Sequence, residues 1–249
     1  MPTRSPRPFL FLPIMISGLC ALLALQMAWH DPRYLLPFLL IVALVLVPPL
    51  LARRRMRTLL ISGDVKRVLG TWGSSIDRVM YPETMAPLMT ATAYAAYGWI
   101  DAARTSLSRA VKGPAWDAAL EQRLFVETLL DTFEGDRAGA LMKAEALERL
   151  PVPDAGVLAK RKITTLRHGL AALARAFAHR SSAADQKVLK TAATASPLIH
   201  WAMRYAAAVV AIDQGDKREA RELIADAPPW PRESAFRAFH EELLGQLTA

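Results

Sequence analysis

Asparagine is absent from the 249 residues, and cysteine occurs once, at Cys20. The first absence excludes N-linked glycosylation, and the second excludes an internal disulfide framework and any cysteine-rich metal site. Aromatic residues make up only 8%, and the 23 acidic residues fall short of the 31 lysines and arginines. Against these shortages stands a hydrophobic content of 53%, which excludes disorder as an overall description. The net charge of +8 is concentrated at one end: residues 1–67 hold nine cations and two acids, leaving +1 for the remainder. A nearly neutral body lacks the basic face needed to neutralise phosphates, so nucleic acid is not an expected partner.

Signatures of catalysis are also missing. The histidines at 30, 168, 179, 200 and 240 form no H-E-x-x-H motif, and no carboxylates recur at a metal-ligand spacing. His240, Glu241 and Glu242 are consecutive, and adjacent residues do not share a helix face. The stretch from Gly70 to Ser75 is glycine-containing but lacks the lysine of a phosphate loop, and no strand precedes it. Neither the serines nor Cys20 sits in a nucleophile motif. The run Lys160, Arg161, Lys162 reads as a solvated helix face. The expectation is a protein without catalytic residues, metal or cofactor.

What the chain does have is two long uncharged runs. Residues 9–29 contain 21 consecutive uncharged positions, about 31 Å as a helix, and the hydrocarbon core of a bilayer is about 30 Å thick. Residues 34–52 contain 19 more, about 28 Å by the same rise. Only His30, Asp31, Pro32 and Arg33 separate them, so the pair is expected to be a transmembrane helical hairpin forming a membrane-anchor domain, 1–52. A cleaved leader fits less well, because no small-x-small site ends the first run and a second follows at once. Arg4 and Arg7 precede the hairpin, and Arg53, Arg54, Arg55 and Arg57 follow it. Cations near spans stay on the cytoplasmic side, so both termini are expected there, in a bacterial-type inner membrane, with the arginines meeting lipid headgroups. Pro48 and Pro49 should kink or end the second run.

Residues 53–249 show no sustained alternation of period two, whereas apolar positions recur every three or four residues, as in Ile163, Leu166, Leu170, Leu173 and Phe177, and in Phe236, Phe239, Leu243 and Leu247. The fold class is therefore expected to be all-α. Turn signals recur at Gly63-Asp64, Gly98, Gly135-Asp136 and Gly215-Asp216, with spacings of 35, 37 and 80 residues. Around Gly98 stand Ala91, Tyr94, Ile100, Ala103, Leu107, Ala110 and Pro114. Ala140, Leu147 and Pro151 follow Gly135 at corresponding offsets, and Ala220, Ile224, Ala227 and Pro231 follow Gly215. Asp131 and Ala211 depart from the pattern at the position that Tyr94 takes before Gly98. A longer pair, 155–178 and 183–195, ended by Pro197, would fill the gap near residue 175, and a terminal helix, 234–247, would cover the apolar face of the last pair.

This set resembles the tetratricopeptide repeat over roughly residues 55–231. The resemblance implies an α-solenoid of antiparallel helix pairs whose concave face binds another protein. Carried across by spacing from the turn glycines, that face would present Met85, Leu88, Phe125, Leu129, Phe133, Tyr205 and Val209. The family's asparagine-and-lysine carboxylate clamp cannot exist without asparagine, so the groove would take an amphipathic helix or apolar segment, unless the chain's own helices already fill it as core. The sequence thus predicts a tethered adaptor or scaffold with membrane-associated protein partners and the lipid bilayer. The alternative is a subunit of a membrane enzyme or multi-subunit membrane complex. Neither partner identity nor oligomeric state is legible.

Overall fold

The computed structural model describes residues 35–248 apart from Asp77, together with the single positions Gln26 and Arg33. Apart from Gln26, the first uncharged run lies outside the described residues, as do Arg4 and Arg7. The chain divides into two compact units, Met1–Thr58 and Leu59–Ala249. All described elements are helical, and no strand occurs among them. The protein is all-α.

Helix α1, Leu35–Ile61, takes in the second uncharged run and continues through Arg53, Arg54, Arg55 and Arg57, which are exposed. Pro48 and Pro49 stand inside it and do not end it. Each proline removes one backbone hydrogen bond, but the leucines and arginines that follow are strong helix formers and carry the helix onward. Among the described residues no single unbroken helix meets both the length and the apolar character of a membrane crossing. Within the apolar run of α1, the side chains at 37 and 41 lie outside the description. One bent pair does meet them, 183–195 with 197–213, turning by 119°. Its Leu189, Ala192, Ile199, Ala202 and Tyr205 are buried, so it is core of the second unit.

That unit continues with α2 (Val65–Ile76), α3 (Pro82–Ala96), α4 (Ile100–Ser108), the short α5 (Pro114–Ala118), α6 (Leu120–Glu134) and α7 (Arg137–Arg149). There follow α8 (Val157–Phe177), α9 (Ala183–Ala195), α10 (His200–Asp213), α11 (Lys217–Ile224) and α12 (Ala235–Thr248). Gly63, Gly98, Gly135 and Gly215 are left-handed, with φ of 81°, 73°, 87° and 81°. Their aspartate neighbours complete the turn: Asp64, Asp136 and Asp216 accept the backbone N–H of Arg67, Gly139 and Glu219 at 3.0, 3.0 and 2.9 Å. One residue thus reverses the chain, and the next satisfies an orphan donor of the following helix. The glycine-containing stretch from Gly70 lies within α2, not in a loop.

Helix pairs form as α3 with α4, α6 with α7, α8 with α9 and α10 with α11, and α3, α6, α8 and α10 pack in succession. Close approach is achieved with small residues. A Cβ on Gly169 of α8 would lie 2.5 Å from the Ala192 Cβ of α9. Asp131, which departs from the spacing pattern, is buried in α6 and explained by two cations, Lys143 of α7 at 2.6 Å and Arg104 of α4 at 3.2 Å. Burial alone would lower the Lys143 ammonium, but hydrogen bonds and charge from Asp131 and Glu127 hold it above its ordinary value. The carbonyls of Leu60 and Ile61 accept from the Tyr97 hydroxyl at 2.6 Å and the Trp201 Nε1–H at 2.7 Å. These belong to a last helical turn whose carbonyls lack intrahelical partners.

After α11 the chain returns to the first pairs. Residues 225–234 form a strap that packs on the Gly63 turn so closely that a Cβ there would sit 2.7 Å from the Pro228 ring. The Ser234 hydroxyl donates to the Tyr97 carbonyl at 2.7 Å, and the Ala235 N–H donates to the Gly98 carbonyl at 2.8 Å. Helix α12, expected only as a cover for the last pair, therefore reaches further. Its Phe236 meets Phe133 of α6 edge-on, with ring centroids 5.2 Å apart.

Candidate functional site: an aromatic pocket between four helices

The residues expected to line an open groove are mostly buried, and the strap and α12 cover them at Phe133 and Tyr205. Leu88, Leu129, Phe133 and Tyr205 are buried, while Met85, Phe125 and Val209 are half-buried against the core. As the structure stands, Met85, Leu88, Phe125 and Leu129 belong to the packed interior. At Phe133 and Tyr205 the covering side chains are those of the C-terminal segment: Phe236 and Phe239 pack on Phe133, and Trp230 and Phe236 on Tyr205. Trp230 and Phe236 stack edge-on at 5.0 Å, and Tyr205 lies 5.2 Å from Phe236.

What stays open is a cavity of about 270 Å³ where the ends of α6 and α8 meet α10 and α12. Of the seven groove residues expected from spacing, Phe133, Tyr205 and Val209 line it. Its floor is completed by Phe177, Ile212 and Phe239, and its rim carries Glu134, Arg137, His179, Asp213 and Glu242. Phe133 packs edge-on against Phe177 at 5.9 Å, and Phe177 lies 5.3 Å from Phe239. Such tilted and edge-on arrangements suit the aromatic quadrupole and hold the floor in place. Phe177 and Phe239 lay on apolar stripes visible in the sequence, but nothing in a spacing rule based on turn glycines selects a helix outside the repeat.

Tyr205 supports the floor from below. Its hydroxyl accepts the Trp230 Nε1–H at 2.6 Å and stands 3.1 Å from His240 Nδ1, to which it can donate. Burial pushes the Tyr205 phenol above its ordinary value. It stays a neutral hydrogen-bonding post at physiological pH.

At the rim, two carboxylates are already engaged. Arg104 pairs with Glu134 through Nε at 2.9 Å and Nη2 at 2.5 Å, and this hydrogen-bonded pairing raises the guanidinium above its ordinary value. His179 Nδ1 lies 3.0 Å from an Asp213 oxygen. His179 itself is left-handed, with φ of 54°, at the one helix-pair turn that has no glycine. A side chain in that region is strained by roughly 1–2 kcal/mol, and strain of this kind concentrates where a side chain is needed in place. Here the exposed imidazole stands at the mouth of the pocket.

Among the described residues no three His, Cys, Asp or Glu side chains converge to hold a metal. His240, Glu241 and Glu242 diverge as their adjacency requires: toward Tyr205, into a pair with Arg237, and to the pocket rim. At about 270 Å³ the cavity is at or below the ~300–1,000 Å³ of sites that enclose drug-sized ligands. Its scale suits one large apolar side chain. Comparison of the chain with protein-family models, with curated proteins and with solved structures gives no match.

Proposed function

We propose that this protein is a membrane-anchored adaptor: a tetratricopeptide-like array of helix pairs, held at the cytoplasmic face of a bacterial inner membrane by a transmembrane hairpin, that recognises a membrane-associated partner protein. The hairpin is supported by two uncharged runs of 21 and 19 residues with flanking arginines. The array is supported by the left-handed glycine turns and the neighbour-to-neighbour packing of the pairs. Anchoring raises the effective concentration of the domain for other membrane proteins without any new contact.

The single observation that carries the recognition reading is the aromatic-floored pocket. A partner helix would seat one large apolar side chain over Phe133, Phe177 and Phe239, its polar flank meeting Arg137 and Glu242 at the rim. A photo-crosslinking amino acid at Val209 tests this in intact membranes. The expected result is a discrete adduct with a membrane protein that disappears when Ile212→Asp places a charge in the cavity, with a probe at exposed Thr194 giving none. Loss of the reading follows if the Val209 adduct is absent or indifferent to Ile212→Asp.

A further inference from the structure

The strap covers the Gly63 and Gly98 turns, and Trp201 at the start of α10 donates to the Ile61 carbonyl beside Gly63. Another group of connections is drawn together away from the strap: the Val111 N–H donates to the Glu83 carbonyl, and Arg167 reaches both Glu121 and the Leu150 carbonyl. This end, residues 77–81, 109–119 and 150–156, has no such cover among the described residues, and it is not polar.

Nine large apolar residues of the second unit are exposed among those described, and seven lie at this uncovered end or at the first turn of a helix leaving it. They form two protrusions. In the first, Met80, Tyr81 and Val111 are 76%, 63% and 51% exposed, and two hydrogen bonds join their segments: Val111 N–H to the Glu83 carbonyl at 3.2 Å and Thr84 Oγ1–H to the Val111 carbonyl at 2.8 Å. Tyr81 is left-handed at φ 55°, a conformation that costs a side chain some strain. In the second, Val157 and Leu158 open α8 at 83% and 78% exposure, beside exposed Val152.

Both protrusions are collared by cations. Arg78, Arg109 and Lys112 flank the first, Arg161 and Lys162 the second, and all five are exposed without an ion-pair partner among the described residues. Carboxylates there are mostly engaged: Asp154 by Lys160, Glu121 by Arg167, Asp117 by Arg123. Glu83 is left, and even with Asp77 counted from the sequence, cations exceed free acids by five to two. Apolar tips ringed by Lys and Arg are the chemistry of an anionic bilayer surface, where apolar residues enter the interface and cations meet headgroups. A protein partner would instead be matched by a concave or continuous face. Here the exposed apolar residues are divided between two groups.

We infer that this end of the helical array, through the tips at Met80/Tyr81 and Val157/Leu158, lies against the anionic membrane surface; the inference rests on the anchored reading above and gives that anchored domain one orientation. The test uses the full chain with Cys20→Ala and single nitroxide labels at Met80→Cys, Leu158→Cys, Val45→Cys and Gln214→Cys, in nanodiscs of phosphatidylcholine alone or with phosphatidylglycerol. The label at 45 reports the anchor. On phosphatidylglycerol, labels at 80 and 158 should gain oxygen accessibility and lose accessibility to a water-soluble nickel complex, while 214 stays aqueous. Arg161→Glu with Lys162→Glu, at exposed positions that leave the thermal melt unchanged, should return the 158 label to water. The inference is overturned if 45 is in lipid but 80 and 158 remain aqueous, or if their shielding is indifferent to phosphatidylglycerol and to charge reversal. If 45 is itself aqueous, the anchored reading falls instead.

Discussion

Asp185, buried at the start of α9, receives two hydrogen bonds from Arg175 of α8, at 2.5 and 3.2 Å, and the backbone N–H of Ser182 at 2.8 Å. Burial would raise this carboxyl, yet those donors hold it below its ordinary value. A carboxylate with a depressed folded value stabilises the fold fully above its unfolded value near ~3.9, and the contribution is lost as pH falls through the lower folded value. Asp185→Asn should therefore cost about 2 kcal/mol at pH 7, with the gap to wild type narrowing below pH ~4, as urea melts across that range would show. A gap independent of pH would mean that packing alone is at stake. His179 offers a second residue-level test. His179→Gly loses the imidazole but relieves the left-handed strain, whereas His179→Ala loses the ring and keeps the strain. The alanine variant should melt below the glycine variant by a difference of about 1 kcal/mol, and both should lose the Val209 adduct if the ring serves the pocket.

Helix α12 carries the side chains that turn a groove into a pocket, and Phe236 is its anchor. Phe236 is fully buried among Phe133, Tyr205, Trp230 and Phe239. Phe236→Ala should cost about 3–5 kcal/mol and free the concave face, read as lower thermal stability with increased binding of an apolar dye. The same helix marks where legibility in the sequence ended. The boundaries of α9 fall at 183 and 195, as pattern and proline suggested, and α8 spans 157–177 against an expected 155–178. These elements are set by local information: apolar period, breakers and caps. The closure was not legible, because it depends on a contact between residues 98 and 235, and no local rule states which face a terminal helix will cover. Of the residues that spacing from turn glycines selected, Phe133, Tyr205 and Val209 line the cavity and four are interior, since an exposed binding stripe and a core have the same apolar period. His179 was invisible as a turn residue for a different reason. The turn signal is glycine, and this turn is made without one.

Neighbour-only packing makes the stability of a helix-pair array a sum of local terms, so that ends fray and unfolding can begin anywhere. In the unit Leu59–Ala249 the strap overrides that locality. Pro228 and Trp230 press on the Gly63 turn, Ser234 bonds to Tyr97 and Ala235 to Gly98, while α12 packs on α10 and α11. The first and last pairs are therefore joined through a segment that belongs to neither, in addition to the direct bond from Trp201 of α10 to the Ile61 carbonyl. An array closed in this way should unfold as one cooperative body, whereas the same pairs without the strap should separate into regions of different stability. Native-state hydrogen exchange reads the difference directly. In the full chain, the slowest amides of α3 and α10 should open with similar free energies. Removing residues 228–249 should split them, with α2 to α4 falling furthest because their turns lose Pro228, Trp230 and Ser234. Gly63→Ala, which forces both a left-handed Cβ and a clash with Pro228, should produce a milder form of the same split with every helix still present. If α3 and α10 instead keep equal protection in the truncated chain, the pairs are coupled through their own interfaces and the strap does no more than cover a surface.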